Sequence, residues 1–186
     1  VDKKYKFTDE SILKDKRIVM HSWETPVMKQ MVRWVCANGG NILEVGFGMG
    51  IASDFIQQYN ISSHTICENN PDVIERLKIW AKDKQNVKIV EGDWHRHRDN
   101  FKKYDGILFD TFDDMYIEKF KKETVYKLSK EKTNFCIWDN MESETAPYEK
   151  YQTMKIKVNK SFEDSWNYHP TDIVYVHKIT INGESN

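Results

Sequence analysis

The twelve residues Asn41-Ile42-Leu43-Glu44-Val45-Gly46-Phe47-Gly48-Met49-Gly50-Ile51-Ala52 decide the fold. The apolar run Ile42–Val45 reads as a buried strand, and Gly46, Gly48 and Gly50 form a turn behind it. An apolar-periodic helix then runs through Ile51, Ala52, Phe55, Ile56 and Tyr59. Glycines let a backbone turn sharply and approach a ligand closely, and a helix start offers unpaired N–H groups. Glu44 sits just before the first glycine. A dinucleotide fingerprint asks for Gly-x-Gly-x-x-Gly, and Ala52 stands where its last glycine would be, so an oxidoreductase reading is possible but second.

Outward from this turn, strands and helices alternate. Ser63–Glu68, Val87–Glu91, Tyr104–Asp110 and Thr133–Asp139 read as strands. Asn70 and Pro71 open a helix with the apolar face Val73, Ile74, Leu77, Trp80 and Ala81, and a further helix is expected over Tyr116–Leu128. Such alternation implies a parallel sheet with right-handed crossovers. Thr153–Val158 and Asp172–Ile181 then read as a closing antiparallel pair joined by the loop Asn159–Thr171. On the other side, Thr25 and Pro26 open a helix faced by Val27, Met28, Met31, Val32, Trp34 and Val35, and Asn38-Gly39-Gly40 stops it. Asp9–Met20 is expected to be helical, and Val1–Lys6 to be frayed. The expectation is one domain over residues 1–186, with a helical N-terminal cap (1–38) contributing to the site and an α/β core (39–186).

The 186 residues suffice for one such domain with a proper core. Lys and Arg number 28 against 29 Asp and Glu, so no net field draws the chain to nucleic acid or to an anionic membrane. No run is long enough to span a bilayer. Cys36, Cys67 and Cys136 are odd in number and unpaired in spacing, which reads as reduced core thiols in the cytoplasm. His95 and His97 lack the partners a metal needs, and no metal is expected.

In a doubly wound sheet, ligands bind beyond the carboxyl ends of the strands. Glu68 ends the second strand of the core, where an acid commonly accepts from ribose hydroxyls, although a surface acid at a helix entrance looks the same. Asn69 adjoins it. Asp93 and Trp94 follow the third strand, placed for a purine's amino group and flat face, with core packing the plainer account of Trp94. Asp110 ends the fourth strand.

The acid-x-Gly-x-Gly-x-Gly turn resembles that of class I S-adenosylmethionine-dependent methyltransferases. His21-Ser22-Trp23-Glu24-Thr25-Pro26-Val27-Met28, Leu43-Glu44-Val45-Gly46-Phe47-Gly48-Met49 and Tyr104-Asp105-Gly106-Ile107-Leu108-Phe109-Asp110-Thr111 are, together, similar to the guanidinoacetate N-methyltransferase family. Arg76-Leu77, Trp80-Ala81 and Gly92-x-Trp94 fit it as well. The resemblance is strong from about Val19 to Thr111 and weak beyond. It implies a Rossmann-like, mostly parallel seven-stranded sheet with a C-terminal antiparallel β pair, S-adenosyl-L-methionine as cofactor, and N-methylation of a guanidino group. Its cofactor contacts carry over to Met20, Met28, Gly46, Phe47, Gly48, Met49, Ile51, Ala52, Glu68 and Trp94. To these the strand-end reading adds Glu44, Gly50, Asn69, Asp93 and Asp110. The family's guanidine grip carries over to Glu24 and Asp110.

Two carboxylates suit that chemistry, because they can hold a planar guanidinium by bidentate charge-assisted bonds. A proton must leave as the new bond forms, since guanidinium has a pKa of roughly 13. Asp110 is the candidate base, its proton affinity helped by Glu24. Glu24 is equally an acid placed to favour the helix dipole behind Pro26.

Departures concern the substrate's tail. The family's post-strand loop that meets a substrate carboxylate corresponds here to Asn140-Met141-Glu142, and the added acid would repel that carboxylate. The Lys-Pro-Gly-Gly turn is replaced by Ser129-Lys130-Glu131-Lys132-Thr133. The expected partner is a small guanidino substrate or an arginine derivative, with no nucleic acid and no membrane, acting as a monomer or homodimer. The alternatives are methylation of another small-molecule, protein or RNA amine, and a sensor that binds the cofactor without turnover.

Overall fold

The computed structural model describes residues 5–15, 17–142, 151–160 and 171–182. Its larger sheet has the order β6-β5-β4-β7-β8-β10-β9. These strands are β4 (Asn41–Val45), β5 (Ser63–Glu68), β6 (Val87–Glu91), β7 (Tyr104–Phe109), β8 (Ser129–Asp139), β9 (Tyr151–Lys157) and β10 (Ile173–Ile181). The first five are parallel, while β10 runs antiparallel between β8 and β9. Strand order reverses between β4 and its neighbours β5 and β7, so the glycine turn after β4 lies at the switch point, where a cleft must open.

Local chemistry explains the helices. In α1 (Thr25–Val35), Val27, Met28, Met31, Val32 and Val35 are buried along one face. That face lies against β7, β8 and β10, and α2 (Ile51–Ile56) packs beside it. The approach to β7 is close because Gly106 has no side chain: a Cβ there would sit 2.3 Å from the Val35 carbonyl oxygen. Asn70 caps α3 (Pro71–Ala81), its Oδ1 accepting from the N–H groups of Asp72 and Val73 at 2.9 and 3.0 Å. On the opposite face of the sheet, Trp94, Phe109, Phe120 and Phe135 form an aromatic core. Trp94 opens the short helix α4 (Trp94–His97).

Several boundaries differ from the sequence reading. The segment from Asp9 to Met20 is not helical. It forms the hairpin β2 (Ser11–Lys14) and β3 (Arg17–His21), with β1 (Tyr5–Phe7) as a third strand where frayed chain was expected. Asp15 turns the hairpin at φ 50°, a conformation that Asp tolerates better than most residues. The N-terminal cap is thus a small antiparallel sheet followed by α1.

Strand β8 begins at Ser129, earlier than expected, because an irregularity absorbs the residues before Asn134. Within it Thr133 Oγ1 donates to the Tyr104 carbonyl at 2.7 Å. The expected helix over Tyr116–Leu128 contains a widened π segment, Phe120–Thr124, between α5 (Ile117–Lys119) and α6 (Val125–Leu128). Most of the loop Asn159–Thr171 lies outside the described residues. The three cysteines are buried free thiols, and among the described residues no helix is long and apolar enough to cross a membrane.

Candidate active site

A cavity of about 300 Å³ opens at the carboxyl ends of β4, β5, β6 and β7, at the lower end of the size range of small-molecule sites. Its floor is the glycine turn. Gly46, Gly48 and Gly50 have φ of 94°, 54° and 80°, which side-chain-bearing residues rarely adopt. A Cβ on Gly46 would lie 1.9 Å from the Asp110 carbonyl oxygen, so the turn and the end of β7 can meet only through glycine. Above, β3 delivers Met20, whose sulfur accepts from the Met49 N–H at 3.1 Å.

Acids dominate the wall. Glu44, Glu68, Asp93, Asp110, Asp113 and Asp114 line the cavity, and no Lys, Arg or His does so among the described residues. Glu68 holds the cleft in shape. Its Oε2 accepts from Phe47 N–H at 2.8 Å, and its Oε1 accepts from Asn69 and Asn70 N–H, each at 2.8 Å. A carboxylate offers about four acceptor positions, which leaves roughly one for a ligand hydroxyl. Asp93 caps α4 by accepting from His95 N–H at 2.8 Å.

Glu44 is fully buried, and its Oε2 accepts from Ser53 Oγ at 2.6 Å and from His64 Nε2 at 2.8 Å. Its Oε1 has no hydrogen-bond partner among the described residues.

Asp110 accepts at Oδ1 from the Trp138 indole N–H at 3.0 Å. Burial pushes its carboxyl up to about 6 against the pull of that hydrogen bond, and Glu44 adds a smaller upward push. Glu24 is fully buried and raised well above the usual carboxylate range, first by burial and then by the Asp110 charge. The His21 N–H donates to its Oε1 at 2.8 Å, closing a capping box on the turn Ser22–Glu24, while its Oε2 lacks a partner among the described residues. The Lys160 charge favours the ionised form, and the Lys160 ammonium lies 4.5 Å from the Trp23 ring centroid.

The chain therefore brings Glu24 and Asp110 within electrostatic reach of each other from positions remote in sequence. It places Asp110 on the cavity wall and Glu24 behind it. Of the sequence-derived cofactor positions, Met20, Met28, Glu44, Gly46, Phe47, Gly48, Ala52, Glu68, Asn69, Asp93, Trp94 and Asp110 line the cavity. Met49, Gly50 and Ile51 shape the turn without lining it. Asn140 and Met141 do not reach the wall: Met141 N–H donates to Asp139 Oδ1 at 2.7 Å, on the exposed side of the strand end.

Sequence reading missed the loop after β7. Asp114 Oδ2 accepts from the Trp94 indole at 2.7 Å and from Thr111 Oγ1 at 3.2 Å, and its Oδ1 accepts from Tyr116 N–H at 2.7 Å. Tyr116 in turn stacks on His95, with ring centroids 4.2 Å apart. The run Asp110-Thr111-Phe112-Asp113-Asp114 was the available signal. Tyr5, Ile12 and Val19 also line the cavity; Tyr5 was hidden by the expectation of frayed chain, and Ile12 and Val19 by the helical expectation for their segment.

An acidic cleft at the switch point of a sheet in the order β6-β5-β4-β7-β8-β10-β9 defines a class I methyltransferase. The wall chemistry fits S-adenosylmethionine, whose sulfonium and ammonium are cationic. The sequence profile of guanidinoacetate N-methyltransferase matches residues 2–132, and the chain belongs to that family.

Among curated relatives, protein arginine N-methyltransferase 2 of Saccharomyces cerevisiae is 36% identical over 124 residues, covering 59% of this chain and 30% of that protein. The Aspergillus fumigatus protein of the same name is 29% identical over 163 residues, covering 82% of this chain and 38% of its own length. The chain thus spans about a third of the length of these relatives. Solved structures share the fold. Spermidine synthase from Thermotoga maritima superimposes with a TM-score of 0.67 at 14% identity, covering 95% of this chain and 72% of that one. The N-methyltransferase NodS from Bradyrhizobium japonicum superimposes with a TM-score of 0.62 at 14% identity, covering 87% and 97%.

Proposed function

We propose that this chain methylates a guanidino nitrogen of an arginine side chain carried by a polypeptide. The observation that carries the reading is the pair Glu24 and Asp110, two carboxyl groups held in low-dielectric surroundings with raised proton affinities. Leaving carboxylates buried beside each other is costly unless a cation joins them, and a guanidinium is the cation whose planar fork matches two carboxylates. The names of the fungal relatives support arginine as its bearer. The wall supports the same choice, because a free substrate carboxylate such as that of guanidinoacetate would meet acids and no base among the described residues.

S-adenosylmethionine, when bound, supplies an electrophilic methyl group on a sulfonium. Glu68 would take its ribose hydroxyls, Asp93 its purine amino group, and Met20, Met28 and Phe47 its apolar surface. Asp110 would lie toward its cationic end, with the buried charge of Glu44 behind the wall. Asp110 and Glu24 would orient the guanidinium toward the methyl donor, and holding that orientation would supply much of the rate. Asp110 would accept the proton that the guanidino nitrogen loses on methylation. A carboxyl group titrating near 6 is ionised at neutral pH yet basic enough to take it.

The test is a methylation screen with an arginine peptide, free arginine, agmatine and guanidinoacetate, read by mass spectrometry. A mass gain of one methyl on the arginine peptide is expected. Cofactor binding with no methylated product from any of the four would favour a sensor. Methylation of guanidinoacetate in preference to the peptide would return the substrate to the small molecules.

A further inference from the structure

The loop after β7 makes one bond that its own shape does not require. Asp110 is already held where it stands, its N–H donating to the Val45 carbonyl at 2.9 Å and its Oδ1 accepting from Trp138. Beyond it the chain reverses at Asp113, whose φ is 59°. Asp114 then closes the loop on itself, accepting from Thr111 Oγ1 at 3.2 Å and from Tyr116 N–H at 2.7 Å. A further bond leaves the loop: Asp114 Oδ2 accepts from the Trp94 indole N–H at 2.7 Å. Trp94 opens α4, after β6, and β6 is separated from β7 in the sheet by β5 and β4, so these two strands do not pair. Tyr116 adds a second link by stacking on His95 of α4, the two rings 6° from parallel. Trp94, Thr111, Asp114 and Tyr116 all line the cavity.

Packing and hydrogen bonding fix Trp94 in different ways. Its ring meets Phe109, Phe120 and His95 edge-on, and these contacts locate it in the core. The indole N–H is a separate matter, because Trp94 is buried and its donor needs an acceptor. A carboxylate accepts more strongly than a neutral oxygen, and Asp114 supplies one from across the cleft. We propose that Asp114 is a positioning residue for the cofactor's nucleoside: it holds the Trp94 indole in the orientation that gives the purine a flat wall, and ties that wall to the loop after β7. This rests on the cofactor reading above and extends it to a side chain that acts through Trp94. Because Val45 and Trp138 hold Asp110 separately, removing Asp114 loosens the purine's wall and leaves the methyl-acceptor side in place.

That separation supplies the test. S-adenosylhomocysteine is titrated by calorimetry into the wild-type chain, Asp114→Ala, Asp114→Asn, Trp94→Phe and the double variant of Asp114→Ala with Trp94→Phe, with thermal unfolding recorded for each. Asp114→Ala should lose about tenfold in affinity. Asp114→Asn keeps one oxygen for the indole and should recover part of that loss. In the Trp94→Phe background the donor is gone, and Asp114→Ala should then cost less than about threefold. The acidic limb of the pH profile of kcat/KM for the arginine peptide should keep its wild-type position in Asp114→Ala, because Trp138 still donates to Asp110. Unchanged affinity in Asp114→Ala, an equal loss with and without the Trp94 indole, or a displaced acidic limb overturns the inference while leaving the cofactor reading intact. Should Asp114→Ala or Trp94→Phe fail to fold, Asp114→Asn decides: lowered affinity with an unmoved limb supports the inference, and any other result overturns it. A wild-type chain that does not bind S-adenosylhomocysteine overturns the cofactor reading itself, and this inference with it.

Discussion

Trp138 and Asp110 are joined by a 3.0 Å hydrogen bond from the indole N–H to Oδ1, the bond that opposes burial in setting the proton affinity of the Asp110 carboxyl. Trp138 stands on β8 and Asp110 directly follows β7, so parallel pairing of these strands places the donor.

Trp138→Phe keeps most of the ring and removes the donor. With that bond gone, the neutral acid gains ground and Asp110 titrates above its present value of about 6. The acidic limb of the pH profile of kcat/KM should move to higher pH by up to about one unit. A profile measured between pH 5 and 9 checks it.

Asp110→Asn should trade activity for stability. The folded chain holds the Asp110 proton more tightly than the unfolded chain does, so ionised Asp110 opposes folding. That cost is absent below 3.8 and fully present above about 6. The variant should be more stable than wild type at pH 8, by about 1–2 kcal/mol, with the difference fading toward pH 4. Turnover should fall by at least about 100-fold. Scanning calorimetry at both pH values and a product assay check the two halves.

Glu24 serves two masters, which two substitutions separate. Glu24→Gln keeps an oxygen for the His21 N–H and removes the charge. It should raise KM for the arginine peptide while S-adenosylhomocysteine affinity changes little. Glu24→Ala also removes the cap, costing roughly 1 kcal/mol of stability that Glu24→Gln does not. Steady-state kinetics and chemical denaturation distinguish them.

Gly46→Ala tests the turn. The added Cβ would lie 1.9 Å from the Asp110 carbonyl oxygen at a residue with φ 94°. A loss of at least about 2 kcal/mol in urea unfolding is expected, together with lost cofactor affinity.

Legibility in the sequence followed how local the determining physics is. Strand Ser63–Glu68 and the Asn70–Pro71 helix start are written in adjacent residues, and they fall where the residues say. The β2–β3 hairpin is not so written. Ile12, Leu13, Ile18 and Val19 satisfy neither period cleanly, and the turn depends on Asp15 entering a left-handed conformation. The site divides in the same way. Glu44, Asp93 and Asp110 could be placed by strand ends alone. Asp114 matters because it accepts from Trp94 twenty residues earlier, and Glu44 is held by His64 from the neighbouring strand. Glu24 was found through its Trp-Glu-Thr-Pro setting, but only tertiary packing shows that it sits behind the cavity wall.

Proton release reads directly whether the acid pair receives a flat cation. An arginine peptide titrated into the S-adenosylhomocysteine complex at pH 6, in buffers of different ionisation enthalpy, reports the protons exchanged. A docked guanidinium lowers the proton affinity of Asp110 and Glu24, so roughly half a proton or more should be released, since Asp110 alone is about half protonated there. Release should shrink in Asp110→Asn. Binding whose heat is the same in every buffer would contradict the account.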